Sequence, residues 1–95
     1  MVRIFGLIKV LDQRAYEKYR SQVGETVTRA GGTIVFRAST DSVYWNELGC
    51  ESFDAIVQLE FPSQVAADAW AKGPDYRTLL PIRSKAMRLL LFSAK

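Results

Sequence analysis

Arg37, Glu60, Tyr76 and Arg83 are the side chains of this sequence whose types and spacing could do chemistry. Arg37 lies in the apolar run from Thr33 to Ser39, and Glu60 in the run from Phe53 to Phe61. Simple strand alternation puts both on the sheet face away from any helical cover, beside Phe5, Leu7 and Ile56. A charge in such surroundings needs a partner or water. The pair then reads in two ways: a structural ion pair, or the polar anchor of an apolar small-molecule pocket. In the second reading Glu60 is the candidate catalytic acid or base and Arg37 holds an anionic group. A guanidinium can grip a planar anion through two parallel hydrogen bonds. Tyr76 and Arg83 are seven positions apart, about two helical turns, so they can share a side. Either they join Arg37 in holding a carboxylate, or Tyr76 packs in the core and Arg83 solvates a helix surface.

Much other chemistry is excluded. The chain has no histidine, which removes His-ligated zinc, haem and non-haem iron and the commonest general base. No spaced acidic cluster suggests a hard cation. We therefore expect neither a metal nor a cofactor. Cys50 is the single cysteine, so no intrachain disulfide can form and a reducing, cytoplasmic setting is expected. A reactive cysteine needs a base or a positive neighbour, and Cys50 is followed by Glu51. The net charge is +3, and the 13 Lys and Arg residues are scattered without a run. That is a solvated surface rather than a nucleic-acid footprint. An RNA-recognition sheet would carry aromatic and basic residues on the strand where this chain has Asp54 and Glu60. An acylphosphatase would need a phosphate cradle after the first strand, and Leu11-Asp12-Gln13 supplies none. The apolar run Ile4–Leu11 is interrupted by Lys9 and falls far short of the roughly 20 residues that span a bilayer. No signal peptide and no membrane association are expected.

The elements that must position the four candidates are legible. Ninety-five residues make one domain, residues 1–95. Val2–Leu11 predicts a first strand, apolar on both faces and so covered on both. Asp12 predicts an N-cap. Ala15, Tyr16, Tyr19, Val23 and Val27 then form one stripe of a helix that ends at Gly31-Gly32. The Tyr16/Tyr19 pair and Trp70 are read as core aromatics. Thr33–Ser39 predicts a second strand with Ile34, Phe36 and Ala38 on one face and Val35 and Arg37 on the other. Val43-Tyr44-Trp45 could add a short hairpin arm. Phe53–Phe61 is the next main strand. Ser63 caps a helix carrying Trp70 inward, and Gly73-Pro74 starts another helix, which Pro81 should kink. Met87–Ser93 closes the chain as a strand.

The predicted order β-α-β-(β)-β-α-β is an α+β, ferredoxin-like split βαβ, an antiparallel sheet with helices on one face. One helical layer leaves the other face bare, and that face carries Phe5, Leu7 and Ile56. A second copy of the same sheet is the simplest cover. The expected partner is therefore a homodimer mate.

Several motifs in sequence order carry a resemblance. They are Asp12 with Tyr16 and Tyr19, Ala30-Gly31-Gly32, Arg37, Leu59-Glu60-Phe61-Pro62-Ser63, Ala69-Trp70, Gly73-Pro74-Asp75-Tyr76-Arg77 and Pro81-Ile82-Arg83. Across nearly the whole chain this resembles a small bacterial family of uncharacterised function. That family sits in the dimeric α/β-barrel superfamily, distantly similar to antibiotic-biosynthesis-type monooxygenases. Gly73 departs from the usual serine, and the stretch after Arg37 lacks the usual glycines. The resemblance implies a homodimer with a pocket between sheet and helices, and implies no particular reaction. Two function classes remain open. One is a small-molecule site for an organic anion, with cofactor-independent catalysis as one use of it. The other is a non-catalytic ligand-sensing or protein-interaction module.

Overall fold

The computed structural model describes residues Met1–Lys95. Its elements run β1 (Val2–Val10), α1 (Gln13–Arg29), β2 (Thr33–Ser39), β3 (Ala55–Phe61), α2 (Gln64–Lys72), α3 (Pro74–Arg77), α4 (Leu80–Ala86) and β4 (Met87–Ala94). The four strands form one antiparallel sheet in the order β2-β3-β1-β4. All helices leave from one side of it, as the split βαβ order requires.

The caps are those the residue types dictate. Asp12 accepts a hydrogen bond from the Ala15 amide at 3.0 Å, and Ser63 accepts one from the Ala66 amide at 3.1 Å. Each occupies an amide that the first helical turn leaves without a partner. Gly31 takes φ 85°, the left-handed conformation that lets the chain turn out of α1 into β2. Beneath α1 lies the core: Val2, Ile4, Ile8, Leu59 and Phe61 from the sheet against Tyr16, Tyr19, Val23 and Val27 from the helix, with Trp70, Tyr76, Leu79 and Ala86 closing it.

Three expectations change. Residues 40–54 contain no strand, so the hairpin arm around Val43-Tyr44-Trp45 is not formed. That segment is tied down instead by Asn46, which bonds both backbone groups of Cys50, and by the Glu51–Arg88 ion pair. Pro81 does not kink a continuous helix. The helix ends before it, and Pro81 sits in the first turn of α4, where a missing amide costs nothing. The third change, in β2, moves Arg37.

Strands β2 and β3 pair Ile34 with Leu59 and Phe36 with Gln58, a register shift across a β-bulge at Val35. One extra residue reverses every side chain after it. Phe36 and Ala38 therefore share the open face with Gln58 and Ile56, their direct partners. Arg37 pairs with Val57, which in turn pairs with Gly6 on the helix-covered face. So Arg37 turns toward the helices, against the expectation from alternation. Glu60 stays on the open face, opposite Arg3. The two residues expected side by side are on opposite sides of the sheet.

Candidate functional site

Between α1 and the sheet lies a cleft of about 420 Å³, within the range of ligand pockets. Sixteen of its 21 lining residues are hydrophobic. Tyr16, Tyr19 and Val23 of α1 form one wall, Trp70 closes one side, and the floor includes Val57, Leu89 and Leu91. Gly6 of β1 lies beneath that floor, paired with Val57 and Leu91. A side chain there would run into Val57 Cγ1 at 2.8 Å, so the absence of a Cβ is what lets the floor close over β1.

Three charged residues border this cavity: Arg20, Arg37 and Asp54. Two are occupied. The Arg20 guanidinium lies 5.4 Å from the centroid of the Tyr16 ring, a cation–π contact. Asp54 accepts a hydrogen bond from the Val10 amide at 2.7 Å. Arg37, on the edge strand at the rim, takes part in none of the ion pairs of the molecule. It is the one cation of the cleft left without a counter-group.

From Tyr19 in the α1 wall a polar chain runs back among the helices. The Tyr19 and Tyr76 hydroxyls are 2.8 Å apart, and Arg83 Nη1 donates to the Tyr76 oxygen at 3.1 Å. Tyr76 and Trp70 pack at 4.8 Å between ring centroids. Trp70 Nε1 donates to Thr26 Oγ1 at 3.0 Å, and Thr26 donates to the Val23 carbonyl at 2.7 Å. Burial, and then the neighbouring Tyr76, hold the Tyr19 phenol well above its ordinary pKa of 10.0, against a smaller opposing pull from Arg83 and Arg37. Tyr19 thus stays protonated, a donor, throughout the physiological range.

This has a consequence for stability. A group whose pKa is raised on folding stabilises the fold fully below its unfolded pKa. That stability is lost as pH rises from there through the folded value. For Tyr19 the loss begins near pH 10 and approaches roughly 1.4 kcal/mol per pH unit. Alkaline unfolding followed by circular dichroism should therefore be shallower above pH 10 in Tyr19→Phe than in the wild type. Equal slopes would show that Tyr19 ionises normally in the fold.

Of the four predicted site residues, Arg37 borders the cleft. Tyr76 and Arg83 are not among its lining residues, and connect to it by hydrogen bonds through Tyr19. Glu60 does not reach it. It faces Arg3 at 3.4 Å on the other side of the sheet. Sequence reasoning missed Tyr19, which helical spacing assigned to the core. The available signal was its phenol: a buried tyrosine needs a partner for its hydroxyl, and nothing local in α1 offers one. No group of three or more His, Cys, Asp or Glu side chains is placed to hold a metal ion. No helix is long and apolar enough to cross a membrane.

Residues 3–93 match the family described as a domain of unknown function, DUF1330. No curated protein matches the chain. Among solved structures it is similar to a protein of unknown function from Rhodopseudomonas palustris. Their TM-score is 0.81 at 21% identity, over 99% of this chain and 80% of that one. SnoaB, a cofactor-independent oxygenase from Streptomyces nogalater, superposes with TM-score 0.69 at 9% identity, over 99% and 90% of the two chains. A dimeric protein of unknown function and ferredoxin-like fold from Bacteroides fragilis gives TM-score 0.61 at 11% identity, over 99% and 94%. At these identities the likeness is one of fold, and the fold is the α+β, ferredoxin-like one.

Proposed function

The chain belongs to the DUF1330 family, and on that footing we propose that it is a homodimer that binds a small, largely apolar organic anion in the cleft between α1 and the sheet. One observation carries the reading. The bulge at Val35 turns Arg37 to the rim of an apolar cleft, where it has no ion-pair partner. A pocket of apolar walls with a few convergent polar groups is the ordinary form of a small-molecule site. A guanidinium at its rim with no ion-pair partner favours an anion.

The dimer reading rests on the other side of the sheet. There the side chains stand in rows across the strands: Phe36, Gln58, Phe5 and Phe92 in one, Ala38, Ile56, Leu7 and Leu90 in the next. Thr33, Glu60, Arg3 and Ala94 border them on one side, and Lys9 with Arg88 on the other. An apolar centre with a polar rim is the anatomy of a protein interface. The dimeric Bacteroides fragilis neighbour of the same fold is consistent with it. On this reading Glu60 belongs to the rim of a subunit contact and not to the ligand site. SnoaB supports the further step that this fold can house cofactor-independent catalysis. Here the donors of the cleft would stabilise negative charge developing on a bound substrate.

The test is to titrate benzoate and larger aryl carboxylates against wild type and Arg37→Met, reading affinity by calorimetry. A charge-assisted hydrogen bond is worth about 1.5–3 kcal/mol, so Arg37→Met should bind roughly tenfold more weakly or worse. Equal affinity in the two proteins would make Arg37 a surface residue and remove the anion site.

A further inference from the structure

We infer that the Tyr19 hydroxyl donates directly to the bound ligand, and that Arg83 acts on the ligand only by setting the direction of the Tyr76–Tyr19 hydrogen bond. The inference rests on the cleft being a ligand site, as proposed above.

It follows from counting protons. A guanidinium has donors and no acceptor. The Arg83–Tyr76 bond therefore has one direction, with the Tyr76 oxygen accepting at 3.1 Å. Tyr76 keeps one proton of its own. Its side chain is buried, and its hydroxyl has one further partner, Tyr19 at 2.8 Å. Were Tyr19 the donor in that pair, the Tyr76 proton would be sealed in the core with nowhere to go, at the cost of an unmade buried hydrogen bond. The satisfied arrangement is Arg83 to Tyr76 to Tyr19. In it, Tyr19 accepts from Tyr76 and keeps its own proton. Tyr19 borders the cleft and makes no other hydrogen bond in the protein. The one acceptor that completes it must come from what fills the cleft. Accepting from Tyr76 also polarises the phenol and strengthens it as a donor, as chained hydrogen bonds do.

The ligand so described carries an acceptor oxygen that meets Tyr19 on the inner wall. Its negative charge lies within reach of Arg37 at the rim, and the rest of it is apolar. Aryl and alkyl-aryl carboxylates, and enolate or phenolate oxygens on similar frameworks, have this form. Arg83 is then a positioning residue. It never touches the ligand, yet it decides which way a proton in the wall faces.

Two probes separate this inference from the anion reading: benzoate, which is charged, and benzamide, which offers a carbonyl acceptor without charge. Arg37→Met should weaken benzoate and leave benzamide nearly unchanged. Tyr19→Phe, which keeps the ring and loses only the hydroxyl, should weaken both, benzamide by about fivefold. Arg83→Met should weaken benzamide in the wild-type background and have no effect in the Tyr19→Phe background, because the relay is already cut. Such non-additivity is the mark of residues that act through one another. Thermal melts of each variant check that the fold is retained. If Tyr19→Phe binds both probes as wild type does, the inference is overturned while an Arg37 effect on benzoate keeps the anion reading. Overturn also follows if Arg83→Met costs the same in both backgrounds, since Arg83 would then touch the ligand itself. Absence of any binding to wild type would overturn both.

Discussion

Trp70→Ala is expected to destabilise the fold by about 3–5 kcal/mol, as the loss of a buried large aromatic does. The indole is 5% exposed. It packs against Phe61, itself 1% exposed, with ring centroids 5.5 Å apart, and against Tyr76 at 4.8 Å. It also bridges elements distant in sequence, because Nε1 donates to Thr26 on α1. Removing it leaves a void where α1, α2, α3 and β3 meet, and strips Thr26 of a donor. Trp70→Phe should cost much less, since it keeps most of the ring and loses only the N–H. Urea unfolding followed by circular dichroism is the suitable measurement. Fluorescence is not, because in Trp70→Ala it would report only Trp45, which is 81% exposed. A loss below about 1 kcal/mol would show that the site collapses without penalty and that Trp70 does not hold the core.

The second large effect is expected at the open face. Wild type should sediment with the mass of two chains at micromolar concentration, and Phe92→Asp with the mass of one. Phe36, Leu90 and Phe92 are 50%, 51% and 46% exposed in the single chain, and Phe5 stacks on Phe92 at 5.6 Å between centroids. Soluble monomers rarely expose contiguous apolar patches beyond a few hundred Å². An uncompensated charge buried at an interface costs about 3–5 kcal/mol, and two-fold symmetry would bury it twice. At about 1.4 kcal/mol per tenfold, even one such charge weakens association by more than a hundredfold. Arg3→Ala, at the rim beside Glu60, should leave the dimer nearly intact, because rim contacts contribute little. A wild-type mass near one chain throughout the micromolar range would remove the second copy as the cover of this face.

What the sequence by itself determined was everything that depends on local period and on end chemistry. Asp12 and Ser63 each cap a helix with the side-chain hydrogen bond their residue type offers. Gly31 turns the chain in the left-handed conformation that glycine accepts. The stripe Ala15, Tyr16, Tyr19, Val23 and Val27 is buried as a 3.6-residue period requires. From these the split βαβ order and the α+β class follow, since few topologies join such elements with short connections. The family resemblance rests on the same local residues, and residues 3–93 belong to that uncharacterised family.

Only the tertiary structure decided which of the candidate residues come together. The face on which Arg37 lies depends on one extra residue at Val35. Nothing in the run from Thr33 to Ser39 marks a bulge, because its residues suit a regular strand equally well. A bulge is a property of two paired strands, and its position is set by the register that β3 imposes. Glu60 keeps the face that alternation assigns it, and so parts from Arg37 and meets Arg3, a neighbour 57 positions away in the chain. The link from Arg83 through Tyr76 to Tyr19 joins α4, α3 and α1. The direction we infer for it rests on burial, which leaves the Tyr76 proton no acceptor but Tyr19. Burial of a hydroxyl against a distant helix is a consequence of packing, and no spacing along the chain encodes it.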